Sequence, residues 1–85
     1  MEKTLVIKNK TGLHARPAAL FSQKASSFAS DIKIEANGKS INAKSILSVL
    51  SLGITQGTEI KLTAEGPDGS QALDALAELI STFKD

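Results

Sequence analysis

The chain has 85 residues, enough for one domain: at this length folding buries only about 60 to 65 % of the unfolded surface and leaves no apolar material for a second core. Its 41 % hydrophobic and 22 % charged residues are those of an ordinary globular protein, and the absence of cysteine with a single histidine excludes disulfides, thiolate nucleophiles and zinc sites built on Cys and His. No charged leader with an apolar run and no stretch of about 18 apolar residues is visible, so a cytoplasmic protein without membrane insertion is expected.

The net charge is only +1 but is unevenly placed. Residues 1–44 carry eight Lys and Arg against Glu2, Asp31 and Glu35, for +5; residues 45–85 carry Lys61 and Lys84 against six carboxylates, for −4. Such a split suggests an acidic partner for a basic face, unless the two halves mix in the fold. Nucleic acid is disfavoured as that partner, because a chain with no Trp or Tyr and three Phe has no evident stacking platform.

In chain order, Leu5 and Ile7 alternate with more polar neighbours and predict a first strand over Thr4 to Lys8, followed by a loop from Asn9 to Leu13. Pro17 suits the first turn of a helix, where its missing N–H is not needed. Ala18, Phe21, Ala25 and Phe28 then form one helical stripe that ends near Ser26, Ser27 and Ser30. Ile32, Ile34 and Ala36 have the two-residue period of a half-buried strand, Asn37-Gly38 signals a tight hairpin, and a return strand runs from Lys39 to Asn42 with Ile41 inward.

Ser45 is placed to cap a short helix from Ile46 to about Leu52, stopped by Gly53. Ile60, Leu62 and Ala64 predict a further strand. The Gly66-Pro67-Asp68-Gly69 turn follows, with Asp68 or Ser70 as the cap of a last helix carrying Leu73, Leu76, Ile80 and Phe83. The order is βαββαβα, which predicts an α+β fold with one four-stranded sheet and its helices gathered on one face.

Two stretches carry chemistry. Lys10-Thr11-Gly12-Leu13-His14-Ala15-Arg16-Pro17 places the only histidine and the only arginine two residues apart where a helix begins. A helix start offers unpaired N–H groups and partial positive charge, and an arginine adds a fixed cation that grips phosphate oxygens. His14 as nucleophile with Arg16 as anion stabiliser fits a phosphoryl carrier, although in an arbitrary sequence a lone histidine at a helix start is more often a cap or a surface residue. A hydrolase is excluded more firmly, since His14 has no Cys partner and no identifiable Ser and Asp companions. Gly38-Lys39-Ser40 is not a phosphate-binding P-loop, because Lys33 stands where its first glycine belongs.

The second stretch, Lys44 to Gly53, is too apolar for one buried face. With Val49 and Leu52 inward, Ile46, Leu47 and Leu50 lie on another side and form a candidate partner-binding patch, the alternative being a helix buried on nearly all sides.

At these stretches the chain resembles HPr, the histidine-containing phosphocarrier family of the bacterial phosphoenolpyruvate-dependent sugar phosphotransferase system. Residues 11–18 are similar to the family's active-site signature, and Lys44-Ser45-Ile46 with Ser51-Leu52-Gly53 to its regulatory-serine segment. The resemblance implies an open-faced β-sandwich of four antiparallel strands and three helices. It implies that His14 is phosphorylated as a pros-phosphohistidine, that Arg16 contacts the phosphate, and that Ser45 is phosphorylated by a dedicated kinase. It also implies the partners: enzyme I as donor, sugar-specific enzyme II A domains as receivers, HPr kinase/phosphorylase and a transcription regulator. The protein is then a monomeric carrier rather than an enzyme, without metal or cofactor. Some relatives lack the histidine and only regulate, and the presence of His14 argues for the carrier. Where many relatives with the regulatory serine carry Met-Gly-Val-Met, this chain has Leu47-Ser48-Val49-Leu50. A nitrogen-related phosphocarrier and a pure interaction module acting through phosphorylated Ser45 are the rival readings.

Overall fold

A computed structural model describes residues 1–83; Lys84 and Asp85, both counted above in the charge split, lie outside them. The elements are β1 (Glu2–Val6), α1 (Ala15–Ser26), β2 (Asp31–Ala36), β3 (Lys39–Asn42), α2 (Ile46–Ser51), β4 (Glu59–Glu65) and α3 (Gly69–Ser81). The strands form one sheet in the order β1-β4-β2-β3. Every neighbouring pair is antiparallel. β1 and β2 are therefore parallel with β4 between them, and β3 and β4 are parallel with β2 between them. Each of these connections carries a helix, and the right-handedness of such crossovers puts both helices on the same face. The predicted α+β sheet with helices on one face is what the chain builds.

The core lies between that face and the helices. Ile32, Ile34, Ile60 and Leu62 point inward from the central strands against Phe21, Ala25, Leu76 and Val49, all with 2 % exposure or less. Burying a side chain of the size of Phe21 contributes roughly 1.5 to 3 kcal/mol. The opposite face is polar: Asp31, Lys33 and Glu35, which alternate with this set in β2, are exposed, and Lys61 and Thr63 in β4 are half-buried.

The alternating patterns are realised in β2 and β4, and the hairpin turn takes positive φ at both Asn37 (52°) and Gly38 (79°), the geometry that a right-twisted hairpin favours. Three boundaries differ from expectation. β1 is Glu2–Val6 rather than Thr4 to Lys8: the ladder with β4 runs from Glu2 opposite Thr63 to Val6 opposite Glu59, and Ile7 is buried beyond it, bonded to the loop before β4. Phe28 and Phe83 belong to the helical stripes by spacing, but both follow the ends of their helices and pack on the core half-buried. Asp68 occupies the N-cap position of α3 without capping it, and Ser70 is inside the helix. The Asp68 carboxylate instead accepts from the N–H groups of Ala29 and Ser30, both at 2.9 Å, and from the Ser30 hydroxyl. These bonds, led by the one from the Ser30 hydroxyl and next by that from the Ala29 N–H, hold its pKa below the usual carboxylate value.

Among the described residues no helix is long and apolar enough to cross a membrane.

Candidate functional site

The antiparallel pairing of β1 with β4 decides where the histidine sits. Because Val6 lies opposite Glu59, the segment leaving β1 runs beside the segment entering β4. The two are stitched together. Ile7 N–H donates to the Thr58 carbonyl at 3.0 Å and Gly57 N–H to the Ile7 carbonyl at 2.7 Å. Gln56 Nε2 donates to the Lys8 carbonyl at 3.0 Å, and Leu13 N–H to the Ile54 carbonyl at 3.2 Å.

Gly12 makes this possible. It has a φ of +65°, and a Cβ built there would lie 2.3 Å from the Ile54 carbonyl oxygen, so both conformation and space require glycine.

His14 follows as the N-cap of α1. Its carbonyl accepts from the Ala18 N–H at 2.8 Å, which starts the helix. Its ring does not cap the helix. It is exposed, with Nδ1 3.2 Å from the Thr11 carbonyl. A carbonyl can only accept, so this contact favours the tautomer with the ring proton on Nδ1. The N–H groups of Ala15 and Arg16, in the first turn, have no intrahelical acceptor, and Pro17 has no N–H. Backbone donors thus remain open beside the imidazole.

Arg16 is exposed two residues on. The two ion pairs among the described residues, Lys3 with Asp74 and Lys61 with Glu2, lie elsewhere, so no described carboxylate neutralises it. His14 and Arg16 face a surface depression between α1 and the end of α3 that Leu20, Leu79 and Phe83 also line. Leu20, 43 % exposed, was not among the sequence candidates; its signal is that it falls off the Ala18, Phe21, Ala25 stripe.

α2 presents the other surface. Val49 and Leu52 are buried, while Ile46, Leu47 and Leu50 are 41 %, 80 % and 36 % exposed, the division expected from their spacing. Ser45 caps this helix, its Oγ accepting from the Ser48 N–H at 3.3 Å. Lys44, just before it, donates from Nζ to the Phe28 carbonyl at 2.9 Å and ties the start of α2 to the segment after α1. At its other end, the Asn37 side chain donates to the Leu52 carbonyl at 2.8 Å. Leu52 leads through Gly53 to Ile54, so α2 and the His14 loop share one support.

Comparison with known proteins gives a consistent result. Residues 1–82 match the family PTS-HPr, described as the PTS HPr component phosphorylation site. The HPr-like protein Crh of Bacillus subtilis (strain 168) is 46 % identical over 80 residues, covering 94 % of each chain. The crystal structure of HPr-C-His from Thermoanaerobacter tengcongensis superposes with a TM-score of 0.93 at 56 % identity, over 96 % of this chain and 92 % of that one. A crystal structure of B. subtilis Crh, described as a dimer with a swapping domain, gives 0.76 at 48 % identity, over 91 % and 88 %. The chain belongs to the HPr family, the phosphocarriers of the phosphotransferase system, which carry phosphoryl groups and are not catalysts.

Proposed function

We propose that this chain accepts a phosphoryl group on His14 from phosphorylated enzyme I and passes it to sugar-specific enzyme II A domains, in the cytoplasm and as a monomer. The observation that carries this reading is the exposed, non-capping imidazole at the start of α1, two residues from an arginine with no described carboxylate partner. The bond from phosphorus to His14 forms as the bond from phosphorus to the partner's imidazole breaks. Bonding through Nδ1, the pros position, requires the ring to leave the Thr11 carbonyl and its proton to move to Nε2. Solvent reaches the exposed ring and can carry that proton. Arg16 and the open N–H groups of the first turn then face the transferred oxygens. Sedimentation tests the monomer against the dimer described for Crh.

Ser45 is the proposed regulatory site, addressed by HPr kinase/phosphorylase and read by a transcription regulator. A phosphate there adds about −1.5 to −2 charges at the rim of the Ile46, Leu47 and Leu50 patch. The likeness to Crh gives a second reading, a regulatory protein that uses Ser45 alone. One experiment separates the two. Incubation with phosphoenolpyruvate and enzyme I should give acid-labile, alkali-stable phosphate, and His14→Ala should abolish it with the fold intact. Label persisting in that variant rejects His14 as the acceptor; wild-type protein that gains only acid-stable phosphate, from a kinase, favours the regulator.

A further inference from the structure

The turn that precedes the histidine is closed twice by one residue. Gly12 N–H donates to the Asn9 backbone carbonyl at 3.2 Å, and the Asn9 side-chain amide donates from Nδ2 to the Gly12 carbonyl at 2.8 Å. The second bond falls on a peptide unit held at both ends, because the N–H of that same unit, on Leu13, donates to the Ile54 carbonyl at 3.2 Å. A peptide unit is planar and rigid, so bonds at its two ends fix its plane. His14 is the next residue along. The other peptide unit of Gly12 supplies the Thr11 carbonyl that faces His14 Nδ1 at 3.2 Å. Two planes meeting at Gly12 therefore connect the amide of Asn9 to the ring of His14.

Asn9 is only 8 % exposed and Gly12 is buried. Water therefore cannot readily replace the amide donor if it is removed, and the carbonyl it serves would turn to find another.

We propose that Asn9 is a positioning residue for phosphoryl acceptance: acting through the Gly12–Leu13 peptide unit, its side-chain amide sets the orientation of the His14 ring and which ring nitrogen carries the proton. The proposal rests on His14 being the acceptor. It assigns Asn9 no contact with the phosphate or with a partner protein, so docking is not its province.

Two variants test it. Asn9→Ala removes the donor; Asn9→Asp keeps the size of the side chain and turns only acceptors toward the Gly12 carbonyl. Steady-state transfer from phosphorylated enzyme I gives kcat and KM, and ¹⁵N NMR of the unphosphorylated protein reads the two ring nitrogens of His14. Asn9→Ala should stay folded, lose about three- to tenfold in kcat with KM unchanged because the ring is no longer held in one orientation, and shift the ring population from Nδ1–H toward Nε2–H, a gain in the attacking tautomer that the loss of orientation outweighs. Asn9→Asp should move both readouts further in the same direction. Unchanged ring resonances in folded Asn9→Ala overturn the proposal, as does a change in KM alone. Loss of fold in both variants also overturns it, by assigning Asn9 to general stability. If wild-type protein accepts no phosphate on His14, the carrier reading and this proposal fall together; if it accepts phosphate and the variants match it, the role of Asn9 alone is rejected.

Discussion

The His14 loop and the α2 surface share the support of residues 52–54 and are built in opposite ways. The loop is a backbone construction: Gly12 lies against Ile54, amides are stitched across to residues 54–58, and an imidazole and a guanidinium stand exposed upon it. The α2 surface is a side-chain construction, in which Val49 and Leu52 anchor a short helix and Ile46, Leu47 and Leu50 are left outside. Group transfer needs atoms held to fractions of an ångström, which a hydrogen-bonded backbone provides. Docking needs apolar area that another surface can cover, which a few exposed aliphatic groups provide.

The largest effect is expected from breaking the backbone construction. Gly12→Ala should destabilise the protein by roughly 2 to 4 kcal/mol, from a left-handed conformation and a Cβ with no room beside Ile54. It should also slow transfer in the fraction that remains folded. Urea unfolding read beside single-turnover labelling checks both, and wild-type stability would show that the stitching is slack.

Arg16→Ala should leave stability within about 0.5 kcal/mol and slow transfer about ten- to a hundredfold, the worth of one lost charge-assisted hydrogen bond. Unchanged rates to and from both partners would remove Arg16 from the site.

Leu47→Glu tests the other construction. At 80 % exposure Leu47 has little to lose in the fold, so the melting temperature should hold while the affinity for enzyme I falls about tenfold. Calorimetric titration measures it; a variant that unfolds would move Leu47 from the docking surface to the core.

The smallest functional effect is expected from Asp68→Asn, which touches neither region. The Asp68 pKa is lowered in the folded protein, so its contribution to stability is complete above the unfolded carboxylate value, about 3.9, and is lost as pH falls through the folded value. The variant should therefore lose less stability than wild type between pH 5 and the acid limit, with neutral-pH transfer unchanged. Parallel acid titrations of the two proteins would refute this.

What was legible in the sequence is what depends on near neighbours. The two-residue period of Ile32, Ile34 and Ala36, the turn at Asn37-Gly38, the cap at Ser45 and the division of α2 into buried Val49 and exposed Leu47 each rest on a few adjacent residues. The placement of His14 at the start of α1 was legible for the same reason. What was hidden depends on chain segments that meet only in the fold. Asp68 reads as a cap because Gly69 follows it, whereas its partners Ala29 and Ser30 lie far back in the chain. The meeting of Gly12 with Ile54, and with it the use of Asn9, follows from the register of β1 on β4, which no local pattern encodes. Ile7 has the apolar alternation of a strand residue, but its burial comes from the neighbouring loop instead of the ladder.

The strand order has a consequence for the birth of the protein. Among the described residues β2 and β3 are the only sheet neighbours that are also consecutive in the chain; β1 must wait for β4. A ribosome releases His14 early, together with the helix it begins, yet Ile54, Gly57 and Thr58, which hold its loop, are made much later. Proteins dominated by such distant pairings fold slowly, because loop closure precedes its reward. On a nascent chain that ends before β4, the histidine is present but its site is not, and phosphoryl acceptance should switch on only when the segment from Ile54 to Glu65 has emerged.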